Sequence, residues 1–201
     1  MNPFSKRYIE VVDDFVAPSY LKELQKAVDP TNPIWHFQSS QSITKYDDSR
    51  IEDFGFTITL CPTQTPDQFF NTPLATLIRP LTYQIQDYVG ASHIVRCRLD
   101  MTVLHSSKYT HPPHIDIRDS QRVQRGTKYL ASIIYLNDTD GDTIIYDHQQ
   151  EWAESYPTDM KIKETIAPKA GRMLLFDGSY VHTGESPSEH QTRILLNTVL
   201  S

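Results

Sequence analysis

Cysteine is scarce: the chain has two, Cys61 and Cys97, in 201 residues. Their spacing matches no metal knuckle or redox pair, and two thiols in a chain of this length build no disulfide framework. A disulfide-stapled secreted scaffold is excluded, and a reducing compartment is the default. Positive charge is short as well. Nineteen Lys and Arg against 25 Asp and Glu give a formal net charge of −6, and an acidic chain has no general attraction for polyphosphate, so no nucleic-acid partner is expected. No apolar run approaches the roughly 18 residues that a membrane-crossing helix needs. Glu10, Asp13 and Asp14 interrupt the amino terminus where a secretory segment would need an unbroken apolar stretch. The expectation is a cytoplasmic protein with no membrane partner. Repeats and low-complexity tracts are missing too, and the thirteen prolines are scattered rather than gathered into a linker. One domain over 1–201 is the reading, with the oligomeric state open.

What is there is ordinary globular composition, 38% hydrophobic and 22% charged, enough to form a core without staples. Two segments have helical spacing. In 18–28 a proline opens the segment and Leu21, Leu24 and Val28 recur on one face. In 73–89 Leu74, Ile78, Leu81, Ile85 and Val89 repeat that signal and Gly90 supplies the stop, with a kink or break expected at Pro80. The stretches 54–60, 94–104, 129–137, 143–146, 172–176 and 194–200 are short, rich in β-branched and aromatic residues and mostly flanked by Gly, Pro, Asn or Asp, so they read as strands. The fold class is mainly β with supporting helices, a sandwich or jelly roll: 1–93 as a support region and 94–201 as the core.

His114 and Asp116 stand two apart ahead of an apolar strand, and on an extended chain residues i and i+2 share a face. Such a triplet is common by chance, so it gains weight only from partners elsewhere in the chain. Far downstream a strand, a turn and His182 return the chain, and Arg193 then opens the last apolar strand. In a sandwich these regions can face each other. Two imidazoles and one carboxylate on one face of a metal form the facial triad of non-haem Fe(II) oxygenases, with positions left open for a chelating cosubstrate and dioxygen. A lone Arg on an inward strand face supplies the cation that a remote carboxylate needs.

The order His114-x-Asp116, Tyr135-Leu136-Asn137, Asp140-Gly141-Asp142-Thr143, a Pro168-Lys169-x-Gly171-Arg172 strand entry, His182 and Arg193 resembles the 2-oxoglutarate and Fe(II)-dependent oxygenases of the prolyl 4-hydroxylase-like group, over about 94–200. The resemblance implies a double-stranded β-helix (jelly roll). It also implies Fe(II), 2-oxoglutarate as cosubstrate and O2, with His114, Asp116 and His182 as iron ligands and Arg193 on the distal carboxylate. Tyr135 and Thr143 would touch that same carboxylate, and His105 stands where relatives often have a cosubstrate-contacting Tyr. The implied reaction hydroxylates an unactivated C–H bond of a protein side chain, prolyl included, or of a small metabolite, with release of succinate and CO2. Several positions depart from the pattern: Asp140 replaces a Gly, Arg193 a Lys, and Val199 stands where a Trp or a second Arg is usual. These weigh against a prolyl peptide and against nucleobase repair. The other readings are a jelly-roll binding module with a vestigial or structural metal site, and a cupin-like Zn hydrolase or isomerase; a buried cation facing the metal separates the first reading from both.

The remaining features are weaker. Asp138, Asp140 and Asp142 look like a calcium loop, but Gly141 falls too early, so a polar hairpin turn is expected. Asn137-Asp138-Thr139 matches a glycosylation acceptor that has no meaning without secretion. His36, His93, His148 and His190 read as ordinary, as does His111, although it is near enough to reach the pocket mouth. In 117–128 Arg118, Arg122 and Arg125 lie in a basic stretch, which suggests a lid contacting an acidic substrate.

Overall fold

The computed structural model describes residues 4, 8–39, 53–117, 127–150 and 156–201. The elements run β1 (Ile9–Val12), α1 (Pro18–Ala27), β2 (His36–Gln38), β3 (Gly55–Cys61), α2 (Pro73–Val89), β4 (Ile94–Val103), β5 (Leu130–Tyr135), β6 (Thr143–Gln149), β7 (Ile162–Ile166), β8 (Met173–Asp177), β9 (Tyr180–Gly184) and β10 (Thr192–Leu200). Seven strands form one sheet in the order β1-β8-β5-β10-β4-β3-β2, and three form a second in the order β7-β6-β9. Every pairing is antiparallel.

Alternation along the central strands builds the two cores. On the outer face Leu130 and Ile134 of β5, Met173 and Leu175 of β8, and Ile194 and Leu196 of β10 pack with Leu24 of α1 and Ile78, Leu81 and Ile85 of α2. On the inner face Ala131, Ile133 and Tyr135, Leu174 and Phe176, and Leu195 meet Ile145, Ile166 and Tyr180 of the smaller sheet. Both helices thus cover one side of the large sheet, and the second side closes the sandwich. α2 starts where the Thr72 side chain accepts from the Ala75 N–H at 3.1 Å and ends on Gly90 at φ 67, a cap and a left-handed stop in the usual places. The helix runs unbroken through Pro80, in contrast to a break there. Pro80 is exposed, so the carbonyl it leaves unpaired lies on the solvent side, while the buried stripe holds the turns before and after it.

Four strands carry little sequence signal. β1, Ile-Glu-Val-Val, gains its order by pairing with β8. β2 is three residues long, added to β3. β7 reads Ile-Lys-Glu-Thr-Ile and buries only Ile166, the charged edge that protects a sheet from further pairing. β9 is the short strand that carries His182. Beyond β9 the chain around 110–114 adds to the smaller sheet through bridges of Thr110 to Glu185 and His114 to His182. Among the described residues no helix is long and apolar enough to cross a membrane.

Candidate active site

The bridge that attaches His114 to β9 also sets the two imidazoles together. The His114 N–H donates to the His182 carbonyl at 2.9 Å, and the His182 N–H returns the bond at 2.9 Å. The ring centroids lie 4.6 Å apart. Asp116, on the same extended face as His114, brings Oδ2 to 3.7 Å from His182 Nε2, and one donor atom from each of the three residues lies within 4.8 Å of the others. Two ligands of one ion at about 2.1 Å each are at most about 4.2 Å apart, so the Asp116 and His182 donors are placed to share one.

Each donor is oriented by hydrogen bonds to its other atoms. His114 Nδ1 bonds to the Pro112 carbonyl at 3.2 Å and His182 Nδ1 to the Tyr180 carbonyl at 3.0 Å. A ring nitrogen on a carbonyl must carry the proton, which leaves Nε2 as the free lone pair. Burial pushes the His114 imidazole down to about 3, with His182 adding to the shift; it is neutral at neutral pH. For Asp116 burial alone would raise the carboxyl, but Arg96, the two imidazoles and Arg98 together outweigh it and hold the group well below the usual carboxylate range. Arg96 reaches Asp116 Oδ1 at 2.5 Å and its backbone carbonyl at 2.8 Å, and Asn197 Nδ2 lies 3.3 Å from both carboxylate oxygens. A neutral imidazole at His114 and an ionised carboxylate at Asp116 are the states a divalent cation needs, and with His182 this mixed N/O set fits Fe(II).

Across the cavity Arg193 is 5% exposed. Its Nε donates to the Gly141 carbonyl and its Nη2 to Thr143 Oγ1, both at 2.7 Å, and its guanidinium lies 5.8 Å from the Tyr135 ring centroid. Among the described residues no carboxylate comes within ion-pair distance of it. A buried guanidinium with neutral partners only is costly unless an anion arrives. Gly141 is required for this approach, because a Cβ there would stand 2.4 Å from the Glu185 carbonyl and 2.8 Å from Arg193 Cδ. The cavity between the two poles is narrow, with about 60 Å³ of room, and opens to solvent.

The structure brings His114, Asp116 and His182 together, and Thr143 and Arg193 line the cavity that His114 and His182 also line. Tyr135 lies one layer deeper, its hydroxyl donating to Thr143 Oγ1 at 2.7 Å; it reaches the cavity through Thr143. His105 is placed elsewhere: it is outside the cavity lining and stacks on Tyr109 with centroids 5.3 Å apart, because the chain has left the sheet after Val103. Asp140 takes backbone N–H bonds from Ser188, Glu189 and His190, so the acidic turn anchors a neighbouring loop. Arg118, Arg122 and Arg125 lie outside the described residues.

Sequence reasoning missed Arg96, Arg98, Asp100 and Asn197, all polar on the inward faces of β4 and β10. The available signal was alternation, since 96, 98, 100 and 102 are polar in a strand otherwise apolar. His111, expected near the pocket mouth, lines the cavity; the partners that sequence reasoning did not find are Asp53 (Nδ1 to Oδ1, 2.7 Å) and Ser186 (Nε2 to Oγ, 2.9 Å), which tie β3's approach to the loop after β9. No spacing in the sequence announces that convergence.

The family model described as 2OG-Fe(II) oxygenase superfamily matches residues 101–200. No curated protein sequence matches the chain. Solved structures share the fold. An oxidoreductase of the 2OG-Fe(II) oxygenase family from Burkholderia pseudomallei is 14% identical with a TM-score of 0.63, over 96% of this chain and 84% of its own. The viral collagen prolyl hydroxylase of Paramecium Bursaria Chlorella virus-1, solved as its 2OG complex, is 12% identical with a TM-score of 0.57, over 96% of both chains. The epimerase SnoN in complex with Fe3+, alpha ketoglutarate and nogalamycin RO is 11% identical with a TM-score of 0.63, over 98% of this chain and 80% of its own.

Proposed function

We infer the reaction from the family: the chain belongs to the 2OG-Fe(II) oxygenase superfamily, whose members are dioxygenases working with Fe(II), 2-oxoglutarate and O2. We propose that His114, Asp116 and His182 hold the iron, that Arg193 holds the distal carboxylate of 2-oxoglutarate, and that the enzyme hydroxylates an unactivated C–H bond of a protein side chain or a small metabolite. When bound, iron and cosubstrate supply the oxidising chemistry: 2-oxoglutarate leaves as succinate and CO2, and one atom of dioxygen goes to the substrate. The chain's own residues supply geometry and charge. The Pro112 and Tyr180 carbonyls take the Nδ1 side of each ring, so that Nε2 is the nitrogen each ring offers to the metal. Arg96 and Asn197 keep Asp116 ionised and fixed in orientation. Thr143 Oγ1 accepts from both Arg193 and Tyr135, so its own proton is left for an incoming carboxylate oxygen. The free thiols of Cys61 and Cys97, both buried, suit a reducing, cytoplasmic setting.

One observation carries this reading: a buried guanidinium, Arg193, that has no carboxylate partner among the described residues and shares a cavity with His114 and His182 of the triad. Neither a structural metal site nor a hydrolase needs it. The test is succinate release from 2-oxoglutarate in air. Release that requires Fe(II) and is abolished in His182→Ala supports the assignment; a metal-loaded protein that neither binds nor consumes 2-oxoglutarate overturns it.

A further inference from the structure

β4 carries Arg96, Arg98, Asp100 and Thr102 at alternating positions, and hence on one face. It is an interior strand, between β10 and β3, and interior strands do not bury rows of polar groups without partners, because each unpaired group loses its hydration. Arg96 is accounted for by Asp116. Among the described residues the other three side chains make no hydrogen bond to the triad or to Arg193. Arg98 Nε donates to Asp100 Oδ2 at 2.9 Å; among the described residues no hydrogen bond engages its two Nη groups. Asp100 and Thr102 are 8% and 5% exposed, and Asp100 Oδ1 and Thr102 Oγ1 are buried with no hydrogen-bond partner. All three side chains line the cavity that holds His114 and His182.

The register gives this row a direction. Thr102 stands opposite Arg193, Asp100 opposite Leu195 and Arg98 opposite Asn197. On β10 the row from Arg193 to Asn197 leads from the cosubstrate cation to the residue that orients Asp116. The β4 row therefore runs beside the cosubstrate lane, one strand over, with Arg98 at the metal end. A molecule lying on it would meet two planar donors at Arg98 and, next to them, an acceptor of negative charge at Asp100. A carboxylate matches the guanidinium fork and an ammonium matches the open carboxylate oxygen. A phosphate or a dicarboxylate would set a second anion against Asp100. A residue within a peptide offers neither charge.

Resting on the iron and 2-oxoglutarate reading above, we propose that Arg98 and Asp100, with the Thr102 hydroxyl, form the recognition site for the prime substrate, and that this substrate is a free α-amino acid bound as its zwitterion. The salt bridge between Arg98 and Asp100 sets the two poles side by side, as the carboxylate and ammonium of an α-amino acid are set on one carbon. The substrate side chain is then the part presented to the metal.

The test uses the full chain loaded with Mn(II), which binds O/N sites without turnover, and with 2-oxoglutarate. The twenty common L-amino acids are titrated by calorimetry, followed by the N-acetyl and carboxamide derivatives of each binder. At least one free amino acid is expected to bind, with both derivatives weaker by tenfold or more. Asp100→Asn should abolish the discrimination against the N-acetyl form, and Arg98→Met the discrimination against the carboxamide, each with 2-oxoglutarate affinity moved by less than threefold. If 2-oxoglutarate binds and no amino acid does, or if the blocked derivatives bind as well as the free form to the unaltered protein, the proposal is wrong while the parent reading stands. An Arg98→Met protein that loses tenfold or more in 2-oxoglutarate affinity reassigns the pair to the cosubstrate and also overturns it. Failure of 2-oxoglutarate itself to bind removes the parent reading and this one together.

Discussion

Replacing Arg96 by Met removes the charge behind Asp116 while keeping much of the volume. Three bonds are lost: Nη2 to Asp116 Oδ1, Nη1 to the Asp116 carbonyl, and Nη2 to Asn197 Oδ1 at 3.0 Å. Asp116 is 6% exposed, so water cannot replace what the guanidinium supplied. Truncating one partner of a buried ion pair costs roughly 3–5 kcal/mol, and at the lower figure a chain of this size loses roughly 6–12 °C of melting temperature. Removing a group that orients a metal ligand lowers metal affinity about 10- to 100-fold. The sign of the pH dependence is more discriminating than either number. In the wild type the Asp116 carboxyl lies below its unfolded value of about 3.9 because Arg96 and its neighbours overcome burial. Its contribution is present above that pH and is lost only as pH falls through the lower folded value. In Arg96→Met burial dominates and the carboxyl rises, so the folded variant holds a proton that the unfolded chain has lost, and its stability falls as pH rises. The difference in melting temperature between the metal-free proteins must therefore grow from pH 4 to pH 7. A difference that is constant with pH, together with unchanged metal affinity in a chelator competition, would refute the assignment of Arg96 as the group that keeps Asp116 charged.

Three further outcomes are expected from the same geometry. His114, held down to about 3 by burial, is neutral when folded and protonates when unfolded near its ordinary value of about 6.5; its contribution is complete above that pH and declines as pH falls, by up to about 1.4 kcal/mol per unit. Urea unfolding of the metal-free protein between pH 7 and pH 5 reads this slope, which His114→Asn should flatten. Gly141→Ala forces a methyl to within 2.8 Å of Arg193 Cδ, so 2-oxoglutarate affinity should fall tenfold or more while metal affinity holds; calorimetry showing no change means the turn relaxes freely and Arg193 is not fixed by it. Ile85→Ala, fully buried between α2 and the large sheet, should cost about 2–5 kcal/mol of unfolding free energy with metal affinity unaltered, and a coupled loss of metal binding would show that the outer core sets the site geometry.

What the sequence disclosed and what it withheld divide along sequence separation. The α2 stripe of Ile78, Leu81 and Ile85 and its stop at Gly90 are local patterns, and they were legible with the helix ends in place. That His114, Asp116 and His182 come together was legible because His114 and Asp116 share an extended face and His182 comes after a strand and a tight turn. Arg193 was legible as a cation entering an apolar strand. Asn197 lies in the same strand, but its role depends on which strands lie beside β10 and in what register, and nothing local specifies that Asn197 faces Arg98 and lies near Asp116. The same applies to His111, whose partners Asp53 and Ser186 come from distant segments. His105 shows the converse failure: its spacing from His114 suggested the site, yet the backbone leaves the sheet at Val103 and the ring turns to Tyr109. Alternation was the unused signal. A strand that reads polar at every second position is either half exposed or the floor of a cavity, and β4 has the long apolar partner positions Cys97, Leu99 and Met101 of a strand covered by helices on its other face. Together those two facts make Arg98, Asp100 and Thr102 cavity residues on the strength of pattern alone, and the chemistry they present is set by their identity.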